Sequence, residues 1–162
     1  MKDKFIPMYM TIAETVAQQS SAKRLQVGAI IVKEDRVISL GYNGMPAGWT
    51  NECEYEEEIL QSQFGKGTWL EKTGNFKTKP EVIHAEANAI AKLAKSPESG
   101  LGATLFLTHS PCIDCAKQIY TAGINTIFFA KRYRNDAGLE FLKKCNIEVI
   151  EWNTGENTTS PT

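Results

Sequence analysis

Between residues 81 and 123 the chain changes its hydrophobic period three times, and this alternation limits the possible folds more than any other feature. The stretch EVIHAEANAI (81–90) passes from an extended, β-branched run into alanines with helical spacing. Ala87, Ile90, Ala91 and Ala94 form a narrow apolar stripe, which predicts a helix from near His84 through Ala94 that packs on a sheet. ATLFLT (103–108) reads as the next strand, and PCIDCAKQIYTAG (111–123) as a helix from Cys112 that ends at Gly123. TIFFA, DAGLEFLKKC and IEVI continue as strand, helix and strand. Upstream, Met8, Ile12 and Val16 recur every four residues behind Pro7, predicting an amphipathic helix over 7–19. VGAIIV (27–32) and VISLGYN (37–43) flank KEDR as a hairpin with a buried first strand. A hairpin followed by alternating helices and strands predicts an α/β protein of three layers, with a mixed sheet of about five strands and helices on both faces.

A chain of 162 residues with 42% apolar side chains can build one core and has little left for a second. Residues 1–152 are therefore read as a single domain and 153–162 as a polar, disordered tail. Residues 47–80 form a polar insert with five glutamates between Glu52 and Glu58 and glycines at 65, 67 and 74. Partial helix and mobile loop are expected there, with Trp49 and Trp69 as anchors by burial. Eighteen basic against nineteen acidic residues give a net charge of −1, without a basic run that would announce a polyanion surface, so no nucleic-acid partner is expected. The start, MKDKFIPMYM, is broken by Pro7 and resembles neither a signal peptide nor a membrane span. The expectation is a soluble cytoplasmic protein without a membrane partner, in which a Cys-x-x-Cys pair is metal-binding or redox-active rather than a disulfide.

Cys112 and Cys115 are three residues apart, which on a helix is about 300° of rotation, so both side chains share one face. In a first turn, free amides and the helix dipole favour the thiolate over the thiol. By itself this spacing also fits a redox pair, a structural zinc half-site or two core cysteines. His84 with Glu86 alone fits a polar helix start. The combination narrows the reading: His-Ala-Glu opens one helix, Pro-Cys-x-x-Cys opens the next, and one strand lies between. Two such helix starts meet at the carboxyl edge of an α/β sheet. Residues two apart on a helix diverge by about 200°, so His84 must sit at the very start of the first turn if Glu86 is to share its site. One imidazole and two thiolates suit Zn²⁺ and leave a fourth position for water, as in catalytic sites. A closed structural site would need Cys53, Cys145 or His109 in addition.

Zinc with an open position makes water nucleophilic near neutral pH. Displacing ammonia from an aromatic amidine also needs protons on the ring nitrogen and the leaving amine, and Glu86, beside the metal set rather than in it, is the candidate shuttle. The free amide of Ala85 can face a substrate.

His84-Ala85-Glu86 followed by Pro111-Cys112-Ile113-Asp114-Cys115 resembles the signature of the zinc nucleobase and nucleotide deaminases. In order and spacing, VGAIIV, GYNGMPAG, HAEANAI and PCIDCAKQIYTAGI resemble the deoxycytidylate (dCMP) deaminase family over residues 20–130. The resemblance implies a cytidine-deaminase-like fold, one Zn²⁺ on His84, Cys112 and Cys115, and Glu86 as proton shuttle in converting dCMP to dUMP, a thymidylate precursor. It implies that the main chain around Ala85 and Ser110 reads the pyrimidine edge and that Asn43 contacts the sugar; an ordinary Asn-Gly turn is the other reading of Asn43. Phosphate would need cationic or hydroxyl donors, for which Ser21, Lys23, Arg24, Tyr133 and Arg134 are candidates. The resemblance further implies a homo-hexamer activated by dCTP and inhibited by dTTP, with the effector held at Gly41, Tyr42, Gly44 and Met45. Such a triphosphate would bring Mg²⁺ with it. Some relatives carry extra cysteines and histidines in the insert for a second zinc, whereas this insert has Cys53 alone, so a second metal is not expected. Two rivals stay open: a deaminase of dCTP, cytidine, free cytosine, guanine or tRNA adenosine, and a zinc-stabilised binding module without catalysis.

Overall fold

The computed structural model describes residues 2–153. A short 3-10 turn, Asp3–Phe5, leads into α1 (Ile6–Ala17), with Pro7 in its first turn where a missing N–H costs least. The hairpin of β1 (Gly28–Lys33) and β2 (Arg36–Tyr42) turns through Glu34 and Asp35, both at positive φ, which matches the right-handed twist of paired strands. Then come β3 (Glu54–Gln63), β4 (Gly67–Thr78), α2 (Ala85–Leu93), β5 (Thr104–His109), α3 (Ile113–Thr121), β6 (Thr126–Lys131), α4 (Ala137–Lys144) and β7 (Glu148–Glu151).

Five strands form the main sheet in the order β2-β1-β5-β6-β7. β1 runs antiparallel to both neighbours, whereas β5, β6 and β7 are parallel and are connected through α3 and α4. This is the mixed sheet that the alternation predicts. Side chains of successive strand residues point to opposite faces, so each buried strand feeds two cores. Ile30, Val32, Phe106 and Phe128 meet Tyr9, Met10, Ala13 and Val16 of α1 on one face. Ala29, Ile31, Leu105, Leu107, Ile127 and Phe129 meet α2, α3 and α4 on the other. Phe106 and Phe128 stack at 5.0 Å between centroids, and Tyr9 packs on Phe106 at 5.1 Å, an arrangement worth more than its area alone. Among the described residues no helix is long and apolar enough to cross a membrane.

The insert departs from its expectation. Instead of partial helix and mobile loop, residues 54–78 form a two-stranded antiparallel sheet of their own. Gly65 and Gly67 take left-handed conformations at its turn, and Lys66 N–H donates to the Gln63 carbonyl at 3.0 Å. The acidic run that reads as loop is neutralised across the ladder, where Glu56 pairs with Lys72 at 3.4 Å and Glu57 with Lys77. A one-dimensional reading sees five like charges; the opposite strand supplies partners for two of them, and Lys79 pairs with Glu52 at 3.7 Å. Trp49 and Trp69 do not anchor the insert, being 57% and 40% exposed. Its root is held by Cys53, fully buried against Ala22 and Val82, and by Glu54, whose Oε1 accepts the amides of Lys23 and Arg24 at 3.0 and 3.1 Å. Of the expected tail, Asn153 is exposed and residues 154–162 lie outside the described residues.

Two glycines fix the helix-to-sheet distances. A Cβ on Gly28 would lie 2.1 Å from the Ala13 carbonyl oxygen, and one on Gly41 would lie 2.3 Å from that of Ala85. Because the obstacle in both cases is helix backbone, Gly28→Ala must push α1 off the sheet, and a loss of about 1–3 kcal/mol or more is expected. Urea denaturation measures it; a midpoint within error of wild type would show that α1 is not seated as described.

Candidate active site

α2 enters β5 from its C-terminal end, and α3 leaves β5 at the strand's own C-terminus, so both helix N-termini stand at the carboxyl edge of β5. His84 and Cys112 are the residues immediately before these helices, both extended, with ψ 153° and 168°. This resolves the angular conflict in the sequence, because the His84 backbone is not helical and its ring is not bound by the 100° step that separates helical neighbours. His84 Nδ1 lies 3.6 Å from Cys112 Sγ and 3.4 Å from Cys115 Sγ, and the three donor atoms lie within 4.8 Å of one another. A tetrahedral zinc with ordinary Zn–N and Zn–S lengths separates N from S by roughly 3.6 Å, so the donor set fits the ion. Among the described residues this is the one group of three or more potential ligands so close together; Cys53, Cys145 and His109 do not join it. All four cysteines are free thiols.

Cys112 is held down to about 3 by its contacts with Cys115 and His84. Cys115 is pushed up by its hydrogen bond to Cys112 and by burial, and His84 is raised by its contact with Cys112. A dication would displace the remaining protons and bind both sulfurs as thiolates. Glu86, in the first turn of α2, is only 4% exposed, and burial pushes its carboxyl up. A carboxyl raised this way holds its proton more tightly than one in water.

His84, Cys112 and Glu86 line a cavity of about 60 Å³, together with Asn43, Ala85, His109 and Ser110. It adjoins a wider cleft of about 640 Å³ that shares His84, Cys112, Val82, Thr78 and Tyr133 with it. Four cations border the cleft: Arg24, Lys77, Lys79 and Arg134. Its acid, Asp114, pairs with Lys117 at 3.0 Å. Lys77 and Lys79 pair with Glu57 and Glu52, whereas Arg24 and Arg134 have no carboxylate partner among the described residues. Arg134 sits at φ 44°, a conformation uncommon for a non-glycine residue, with its guanidinium 5.0 Å from the Tyr133 ring centroid.

The remaining candidates separate into those at the cavity and those away from it. Asn43 borders the cavity, but its Oδ1 accepts the Val27 amide at 2.8 Å and its Nδ2 donates to the Leu25 carbonyl at 2.9 Å, so it also fixes the 25–27 wall. The Ser110 amide donates to the Lys131 carbonyl, and its Oγ accepts the Tyr133 amide at 2.8 Å; the N–H is thus taken by the sheet. Arg24 and Tyr133 border the cleft; Ser21 and Lys23 do not, and Ser21 Oγ instead lies 3.7 Å from Cys53 Sγ. Gly41, Tyr42, Gly44 and Met45 line neither space. At Gly41 the backbone of α2 makes a close approach. Tyr42 packs with the α1 core, Gly44 exchanges two backbone hydrogen bonds with Ile83, and Met45 packs on Cys53 and its neighbours. His109 and Thr78 are cavity residues that the sequence reading did not assign to the substrate space. His109 closes β5 at the same carboxyl edge as the metal ligands, a positional signal open to use, and burial and Lys131 hold its pKa down. Thr78 belongs to the hairpin and carried no signal.

Residues 4–131 match the family described as the cytidine and deoxycytidylate deaminase zinc-binding region. The chain belongs to this family. It is 36% identical to the deoxycytidylate deaminase of Enterobacteria phage T4, over 87% of this chain and 86% of that one. The human deoxycytidylate deaminase is 34% identical over 90% and 84%. The crystal structure of the dCMP deaminase from cyanophage S-TIM5, in complex with dCMP and dUMP, superposes with a TM-score of 0.78 at 38% identity, covering 94% of this chain and 99% of that one. Its fold is the cytidine-deaminase-like arrangement of the main sheet and four helices seen here. The chain is thus a deaminase of the zinc-dependent class rather than a binding module without catalysis.

Purified protein is expected to carry one zinc per chain by elemental analysis. His84→Ala and Cys115→Ala should each lower this to a small fraction, and Cys145→Ser should leave it unchanged. Full zinc occupancy in both ligand variants would contradict the assignment.

Proposed function

We propose that the enzyme hydrolyses the exocyclic amine of dCMP, yielding dUMP and ammonia and so supplying a precursor of thymidylate. The observation that carries this reading is the buried Glu86 carboxyl beside a three-donor metal group, at the floor of a cavity bordered by a cationic cleft. The likeness to the phage and human deoxycytidylate deaminases supports the choice of substrate.

Zinc on His84, Cys112 and Cys115 would supply Lewis acidity, bringing the ionisation of water close to neutral pH. Glu86 takes a proton from the attacking water and delivers it to the pyrimidine ring nitrogen. As the carbon–nitrogen bond breaks and the carbonyl forms, the same carboxyl takes the proton of the added hydroxyl and passes it to the leaving amine. The Ala85 amide, free at the helix start, and the Ser110 carbonyl address the base edge; Asn43 faces the sugar while bracing the 25–27 wall. Arg24 and Arg134, with Tyr133 beside them, neutralise the phosphate.

Assembly as a homo-hexamer in the cytoplasm, with dCTP accompanied by Mg²⁺ as activator and dTTP as inhibitor, belongs to the same reading. The four free thiols suit a reducing compartment. An effector on residues 41–45 would act through the Gly44–Ile83 backbone pair, which adjoins His84. Velocity at fixed low dCMP should then rise with dCTP and fall with dTTP; no response to either would remove the regulatory part.

Glu86→Gln should retain zinc and fold while losing about 10²–10⁴-fold or more in kcat. Arg134→Ala should raise KM for dCMP by about 10- to 100-fold, the range for a lost charged hydrogen bond, and leave deoxycytidine turnover nearly unchanged. Turnover confined to unphosphorylated substrates would favour a nucleoside or free-base enzyme instead.

A further inference from the structure

His109 is the last residue of β5, and one side of its ring is tied to the sheet. The backbone N–H of Gly28 donates to Thr108 Oγ1 at 3.0 Å, and the same oxygen lies 3.1 Å from His109 Nδ1. Thr108 is buried, so its hydroxyl proton needs an acceptor, and among the described residues Nδ1 is the one within reach. A neutral imidazole that accepts at Nδ1 carries its own proton on Nε2. Burial and Lys131 keep the ring neutral by holding its pKa down.

Nε2 itself has no partner among the described residues. No buried side-chain nitrogen or oxygen there lacks one, so Nε2 is open to solvent. His109 lines the cavity with His84, Ala85 and Glu86 and does not border the cationic cleft. An N–H donor braced against the sheet is thereby held ready at the space that takes the reacting base.

We propose that His109 holds the pyrimidine carbonyl oxygen, O2, through its Nε2–H, an inference that rests on the reading of the substrate as a cytosine nucleotide. The base offers this cavity two acceptors, the ring nitrogen N3 and O2. N3 receives its proton from Glu86, and a neutral imidazole does not release its N–H near neutral pH, so the donor matches the oxygen. The phosphate belongs to the cleft, where His109 is absent, and the sugar to Asn43. Two lone pairs let O2 take the Ala85 amide as well. Attack of water at the carbon beside N3 moves electron density towards N3 and the conjugated carbonyl, so the His109 bond is stronger in the transition state than in the bound substrate.

Two measurements on the zinc-loaded enzyme test this. Nitrogen NMR of labelled histidine reads the tautomers of His84 and His109, the chain's two histidines. His84 turns Nδ1 to the thiols, so any Nδ1–H signal belongs to His109. Both rings are expected to be protonated on Nε2 alone; an Nδ1–H signal would overturn the inference and leave the choice of substrate untouched. The second measurement compares His109→Phe, which keeps a ring without a donor, with His109→Gln, which keeps a donor. His109→Phe should retain zinc and lose about 5- to 100-fold in kcat/KM for dCMP and deoxycytidine alike, and His109→Gln should recover most of the loss. The wild-type preference for dCMP over its 2-thio analogue, whose sulfur is a poor acceptor, should largely vanish in His109→Phe. An equal preference in both enzymes, or full dCMP activity in His109→Phe, would overturn the inference. A His109→Phe protein that loses its circular dichroism is replaced by His109→Leu, read by the same ratio. A wild type that deaminates neither dCMP nor deoxycytidine would sink the substrate reading and this inference with it.

Discussion

The site depends on two helix starts held at one end of one strand. β5 lies in the middle of the main sheet, paired with β1 on one side and β6 on the other, and its interior residues are buried. α2 precedes it and α3 follows it, so topology alone brings His84 and the two cysteines to the same edge. Packing then sets the distance: Ala85, Ala89, Ala116 and Ile119 seat both helices in the same core, and Gly41 lets the backbone of α2 lie against β2. A shift of either helix would open the donor triangle before any ligand were changed.

That geometry also separates two tasks between neighbouring residues. His84, before the helix, has an extended backbone and turns its ring towards the thiols. Glu86, inside the helix, is buried and contributes no ligand atom to the group. Binding a metal favours a deprotonated ligand, whereas shuttling protons needs a carboxyl that is poised between two states. In the proposed reaction the first environment serves the metal and the second the proton shuttle.

The body of the fold is legible in the sequence because each buried strand and helix has a period that only one arrangement satisfies. The apolar runs at 27–32 and 103–108, the alanine stripe after His84 and the Pro-Cys start all appear as elements within one or two residues of their expected ends. The insert is not legible in this way. Its order lies in a ladder that pairs residues 54–63 with 67–78, across which Glu56 meets Lys72 and Glu57 meets Lys77, 16 and 20 positions apart, and local composition carries no record of such pairs. Part of the site is hidden for the same reason. Ser21 looks suited to phosphate by residue type, yet tertiary packing places it beside Cys53. Arg24, also read from its type, is brought to the cleft by a hydrogen bond to Thr78, 54 positions away.

X-ray absorption at the zinc edge of the resting enzyme measures the ligand set directly. Two sulfurs, one imidazole nitrogen and one light-atom donor from solvent are predicted, with the solvent contribution changing when dCMP or a product analogue is added. Four donors from the protein, unaltered by any nucleotide, would mean a closed structural centre and would contradict the account.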